Sequence, residues 1–165
     1  MSLIAETPRL EIATFSPGDT AFLHQLTGDA DVMKYFPKVL SYDETSEMLR
    51  KILDQYGSYG YCFWKVMLKP NGNFIGIAGV LHQEVEGKIE AEISYRIAKK
   101  HWNNGYATEA AEACVKYART ILGKTRLISL IRPENTPSLR VAQKLGAQKE
   151  KSVSFVGTVH DVYVY

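Results

Sequence analysis

Apolar residues recur along this chain with two spacings that alternate several times. After Ser41, the side chains of Met48, Leu49, Ile52, Leu53 and Tyr56 fall three or four apart, the period of an amphipathic helix. Ser41-Tyr42-Asp43-Glu44 precedes them as a capping box, and Gly57 and Gly60 supply the stop. The clearest helix runs from Tyr106 to Leu122, where Tyr106, Ala107, Ala110, Ala111, Cys114, Val115, Ala118, Ile121 and Leu122 form one broad stripe. Shorter helices are predicted over Pro17–Thr27 and from Thr136 to Gly146, the latter with Thr136 as cap and Pro137 at the first helical position. Elsewhere the period drops to two. Arg9–Phe15 reads as a first strand. Tyr61–Leu68 and Phe74–Leu81 flank Lys69-Pro70-Asn71-Gly72-Asn73, whose Asn-Gly pair signals a hairpin. In Ile89–Ile97, Ile89, Ala91, Ile93, Tyr95 and Ile97 face one way and Glu90, Glu92, Ser94 and Arg96 the other. Leu127–Ile131 is a further strand, and Lys149–Tyr165 reads as two strands around Gly157. Early hairpins followed by a strand-helix-strand unit predict an α/β fold. Its mixed, mostly antiparallel sheet of six to seven strands lies between helices in three layers.

Length and composition narrow the class. The 165 residues suit a single domain spanning 1–165. The net charge of +2 gives no electrostatic case for nucleic acid or an anionic membrane as partner. No run approaches the ~20 apolar residues of a membrane span. Met1–Glu6 lacks the charged and apolar regions of a secretory signal, so a cytoplasmic location is expected. The two cysteines, Cys62 and Cys114, match neither a disulfide framework nor a zinc site, and no metal is expected.

The chemistry concentrates in Trp102-Asn103-Asn104-Gly105-Tyr106-Ala107-Thr108-Glu109-Ala110, between a strand and the clearest helix. Gly105 permits positive φ in a tight turn, and the turn opens directly into a helix N-terminus. Free N–H groups and the helix dipole favour an anion there, and small Ala107 and Thr108 admit a phosphate. Spacing alone leaves two readings open, a pyrophosphate cradle and an ordinary glycine turn. Gly123-Lys124-Thr125 ends a helix rather than opening one, which excludes a P-loop. Gly76 and Gly79 read as strand glycines against which something packs closely.

Tyr95-Arg96-Ile97-Ala98 followed by that turn resembles the acetyl-CoA signature of the GNAT N-acetyltransferases, in particular the RimJ/RimL type that acetylates ribosomal-protein N-termini. The likeness covers nearly the whole chain in order. Thr7-Pro8-Arg9-Leu10, Phe74-Ile75-Gly76-Ile77-Ala78-Gly79, Ala91-Glu92-Ile93-Ser94-Tyr95, Pro133-Glu134-Asn135-Thr136-Pro137-Ser138 and Lys144-Leu145-Gly146-Ala147 each resemble a segment of that branch. The resemblance implies a GNAT-like fold and acetyl-CoA as cosubstrate. It further implies acetyl transfer to an amine acceptor, a protein N-terminus or a small amine such as a polyamine. It leaves open a CoA-binding module that has lost catalysis, and pairing into a homodimer.

By the same resemblance, Asn103, Asn104, Gly105, Tyr106, Ala107 and Thr108 would hold the pyrophosphate. The backbone around Ile97, with Asn135 and Ser138, would line the pantetheine arm. The tyrosine that many superfamily members use as general acid aligns with Ala142, which cannot donate a proton. Ser138 is the other candidate for catalysis. Glu92 stands on the polar face of the strand before the turn, where a carboxylate could take a proton from an amine or simply pair with Arg96. His82 ends a strand near the expected substrate side, and Tyr35 and Phe36 fall in the region that borders the acceptor groove in the family. All three are substrate-binding candidates, with core packing or surface exposure as the plainer alternative. Cys114 lies on the core stripe of its helix and is expected to pack rather than react.

Overall fold

A computed structural model describes residues 1–165, and every strand in it belongs to one eight-stranded sheet. In chain order the elements are β1 (Leu3–Glu6), β2 (Leu10–Ala13), α1 (Thr20–Thr27), α2 (Tyr42–Tyr59), β3 (Phe63–Leu68), β4 (Phe74–Val85) and β5 (Lys88–Ile97). They continue with α3 (Tyr106–Thr120), β6 (Ile128–Ile131), α4 (Thr136–Lys144), β7 (Gln148–Phe155) and β8 (Thr158–Val164). The sheet order is β1-β2-β3-β4-β5-β6-β8-β7, antiparallel throughout except where β5 meets β6. The expected six to seven strands become eight because Leu3–Glu6 adds β1 to the free edge of β2. That segment is too short and too exposed to show an alternating pattern of its own.

Helices cover both faces. Ala110, Ala111, Cys114 and Ala118 of α3 pack on Trp64, Val66, Ala78, Val80 and Ile93. Small residues on the helix let it lie close to the sheet. On the opposite face, Leu23 and Leu26 of α1 and Leu49 and Ile52 of α2 pack on Phe63, Phe74 and Ile77. Strand alternation sends Trp64 and Val66 to one layer and Phe63 to the other, so the period-2 pattern decides which helix each residue meets. Helix α2 starts as its capping box requires, with the Glu44 N–H donating to Ser41 Oγ at 3.1 Å. Its stop is Gly60 at φ 82°, while Gly57 lies within the helix. Helix α4 is capped by Asn135, one residue before the expected Thr136.

The strand glycines show why β3, β4 and β5 lie where they do. A Cβ at Gly79 would stand 2.2 Å from the Cys62 carbonyl oxygen, and one at Gly76 would stand 2.3 Å from that of Arg96. The close packing expected there is the backbone of the neighbouring strands.

Candidate active site

Strands β5 and β6 pair at one register position, Glu92 opposite Ile128. Beyond it β5 continues to Ile97 without a partner on that side. The Ala98 N–H donates to Ile75 O at 2.8 Å on β4. Alternation therefore turns the peptide groups of Ile93, Tyr95 and Ile97 toward the opening. The Ile93 carbonyl is occupied by Ser129 Oγ at 2.6 Å and that of Ile97 by the Trp102 indole N–H at 2.7 Å. The Tyr95 peptide and the Ile97 N–H are left on the open edge, narrowing the expected contribution of the Ile97 backbone to its donor.

Glu92 sits where the strands part. It is 7% exposed. Its Oε1 accepts from Gln83 Nε2 and its Oε2 from the Leu130 N–H, both at 3.1 Å. The carboxylate thus takes a β6 donor that a backbone carbonyl would take if the ladder continued. Burial pushes its pKa up to about 7, while the two hydrogen bonds and the charge of Arg96 restrain the rise. A carboxyl held there, near neutral pH, can accept a proton from an ammonium.

The turn before α3 adopts the conformation its sequence predicts. Gly105 is the N-cap at φ 80°, and no side chain caps the helix. The N–H groups of Tyr106, Ala107 and Thr108 precede the first intrahelical donor, Glu109, and remain free for an anion. Asn104 Nδ2 donates to the carbonyls of His101 and Trp102 at 3.1 and 2.9 Å, which holds the turn closed. Asn103 also has positive φ, 62°. Arg9, immediately before β2, secures the turn from outside. Its Nε donates to Glu109 Oε2 at 2.6 Å, its Nη1 to the Asn104 carbonyl at 2.8 Å, and its guanidinium lies 4.4 Å above the Tyr106 ring. These contacts span about a hundred residues, beyond the reach of sequence spacing.

Helix α4 is tied to β5 through Tyr95. The Tyr95 hydroxyl donates to the Ser138 carbonyl at 2.9 Å and accepts from Ser138 Oγ at 3.2 Å. Asn135 Oδ1 accepts from the Ser138 N–H at 3.3 Å. Burial raises the phenol of Tyr95 well above its ordinary value, so it stays a proton donor. Ala142 is fully buried against Ile131, Ala147 and Tyr163, so the position that lacks a tyrosine faces the core. Cys114 is buried in the α3 stripe, and its thiol is pushed up to about 12 by burial.

Glu92, Ser94 and Arg96 share the sheet face that α1 and α2 cover. The connection between those helices lays Phe36 under Arg96, with the guanidinium carbon 3.6 Å from the ring centroid, and brings Met33 Sδ within 3.4 Å of Nη1. Tyr35 lies beside Phe36 in the chain but packs under Lys34. His82 pairs across the ladder with Ala91, on the opposite pleat from Glu92, and stacks on Tyr59 at 3.9 Å. The structure therefore does not bring His82 together with Glu92, because one step along a strand reverses the face. Arg96 and Arg9 are the residues of the site that sequence reasoning did not single out. Arg96 looked like an ion-pair partner for Glu92, and only its missing contacts mark it. No group of three or more His, Cys, Asp or Glu side chains comes together as a metal site, and no helix is long and apolar enough to cross a membrane.

Comparisons with known proteins match the chain as a whole. The family model of the acetyltransferase (GNAT) domain matches residues 9–148. The chain is 34% identical over 148 residues to the uncharacterized protein YkkB of Bacillus subtilis, covering 89% of this chain and 86% of that one. It is 24% identical over 135 residues to the spermidine N(1)-acetyltransferase of Escherichia coli, covering 80% and 69%. Among solved structures, a GNAT-family acetyltransferase from Bacillus anthracis superposes with a TM-score of 0.80 at 30% identity, covering 100% of this chain and 96% of that chain. RimL, a ribosomal L7/L12 alpha-N-protein acetyltransferase solved with coenzyme A, shares the fold with a TM-score of 0.75 at 20% identity, covering 99% and 96%.

Proposed function

The chain belongs to the acetyltransferase (GNAT) family, and from that premise we propose that it moves the acetyl group of acetyl-CoA to a primary amine by direct attack. The observation that carries this reading is the buried Glu92 carboxylate at the point where β5 and β6 part, on the strand that leads into the uncapped N-terminus of α3. The free N–H groups of Tyr106, Ala107 and Thr108 suit a pyrophosphate, with Asn103, Asn104 and Gly105 shaping the turn. The open edge of β5 at Tyr95 and Ile97 suits the amide-bearing pantetheine arm. Asn135 and Ser138 stand across the opening.

In this reading Glu92 takes the proton of the incoming ammonium, directly or through water, because an ammonium has no lone pair. The amine nitrogen then bonds to the acetyl carbon, the C–S bond breaks, and coenzyme A leaves as the thiol. The free N–H on the β5 edge would donate to the oxygen that gains charge during attack. Ser138, whose hydroxyl is hydrogen-bonded to that of Tyr95, would give the leaving sulfur its proton, a role that Ala142 cannot take. The names of the relatives support two acceptor classes, a protein N-terminus of the RimJ/RimL type and a small amine.

The test is release of free thiol from acetyl-CoA with a panel of amines, amino acids, peptides and polyamines, beside thermal shifts with acetyl-CoA, ATP and NAD. Stabilisation by acetyl-CoA alone, with amine-dependent thiol release, is expected. Binding without turnover on any amine would instead favour a CoA-binding module that has lost catalysis.

A further inference from the structure

One cation in the site lacks a counter-ion. Arg96 Nε is shielded from solvent and has no hydrogen-bond partner. Its Nη1 reaches only the thioether of Met33, a weak acceptor. Glu92, on the same face, contributes charge but makes no ion pair with it. Lys65 is the other cation deep in this face, and Asp19 answers it at 2.7 Å. Arg132, whose Nε is also shielded, is answered by Glu134 at 2.7 Å. Arg96 is the exception. Its plane is set by Phe36 at 3.6 Å and Phe63 at 5.6 Å from the guanidinium carbon, so the group is oriented as well as unpaired. Arg96 as a whole is half-buried, and leaving its shielded Nε without an acceptor is costly, while an oriented guanidinium edge is the geometry that receives a carboxylate through two parallel hydrogen bonds.

We propose that the acetyl acceptor carries a carboxylate as well as its amine, as an amino acid does, and that Arg96 binds that carboxylate. The inference rests on the acetyltransferase reading and names the substrate class for the same site. Glu92 and Arg96 divide the acceptor between them. The carboxyl of Glu92 faces the amine that loses a proton, and the guanidinium four residues on faces the acid. Both project from the face bordered by Met33 and Phe36, away from α3 and α4, so Arg96 is free of the side on which the cofactor elements stand. A polyamine would bring a second ammonium toward an uncompensated guanidinium and is disfavoured.

The experiment compares matched acceptors, each as the free amino acid, its carboxamide and the amine lacking the carboxyl group, with spermidine included, on the full-length wild type, Arg96→Met and Arg96→Lys. Wild type is expected to prefer the free acids. Measured above pH 8.5, where the carboxyl of Glu92 is ionised with or without the charge of Arg96 beside it, Arg96→Met should raise KM for the acids about 10- to 100-fold relative to the amines that lack a carboxyl group, the range for hydrogen bonds to a charged group. Arg96→Lys should recover part of the preference. Equal use of acids and uncharged amines by wild type, a preference for spermidine, or a loss in Arg96→Met that is the same for every acceptor overturns the proposal. If acetyl-CoA binds and no amine is acetylated, the transferase reading fails by itself. Calorimetry on the CoA-loaded protein then decides the charge reading. N-acetylalanine binding more tightly than N-ethylacetamide in wild type but not in Arg96→Met supports it, and equal binding of the two overturns it.

Discussion

Replacing Glu92 by Gln keeps the shape of the side chain and removes its titration, so stability and rate report on the same carboxyl. In the folded protein burial lifts this group from an ordinary 4.5 to about 7. At about 1.4 kcal/mol per pH unit, that displacement corresponds to roughly 3 kcal/mol. The sign follows from which state holds the proton more tightly. The folded protein does, so the contribution is fully present below pH 4.5, is lost as pH rises toward about 7, and levels off above. Gln has no such dependence. It carries a constant penalty instead, because Leu130 N–H and Gln83 Nε2 both donate to the carboxylate and one of them must now face an NH₂ group. That cost is about 1–3 kcal/mol at every pH. Urea unfolding of both proteins from pH 4.5 to 8.5 should show the advantage of wild type shrinking by roughly 3 kcal/mol across the range. In the same samples kcat should fall by ~100-fold or more, and the acid limb of the wild-type rate profile near pH 7 should disappear. Parallel stability curves would refute the buried titration, and an inflection near pH 7 kept by the folded variant would refute the role as base.

Three further outcomes are expected. Gly105→Val places a β-branched residue at φ 80° and should weaken acetyl-CoA by about tenfold in calorimetry, from strain of about 1–2 kcal/mol and crowding of the turn. Unchanged affinity would remove this turn from the cofactor site. Tyr95→Phe cuts both hydrogen bonds to Ser138 and should lower stability by about 1–2 kcal/mol while raising KM for acetyl-CoA, whereas a loss of stability with KM unmoved would make the tie purely structural. Gly79→Ala would set a methyl 2.2 Å from the Cys62 carbonyl and should cost about 3 kcal/mol or more, read as a fall in melting temperature. An unchanged melting temperature would mean that β3 and β4 can separate locally.

Much of the architecture is legible in the chain because the signals that specify it are local. The stripe on α3, the capping box of α2 and the alternation of β5 each involve residues within a few positions of one another, so side-chain spacing alone determines them. The positive φ of Gly105 and the close approach at Gly76 and Gly79 are legible for the same reason, since a missing Cβ constrains its own backbone. Strand alternation put Glu92 on the polar face before the turn, and family resemblance added the cosubstrate and support for a catalytic reading of that carboxylate. Tertiary structure decided the rest. Leu3–Glu6 is a strand only because β2 offers it an open edge. Glu92 meets Ile128 across 36 positions of sequence, and where that pairing stops depends on how β5 and β6 diverge. Arg9 reaches Glu109 from the other end of the chain. His82 and Glu92 lie on neighbouring strands but on opposite pleats, a distinction set by ladder register. Arg96 reads as half of an ion pair until distances show that its charge goes unanswered. Composition and periodicity carry propensity and burial, whereas the absence of a partner is a property of three-dimensional distance and has no counterpart in spacing along the chain.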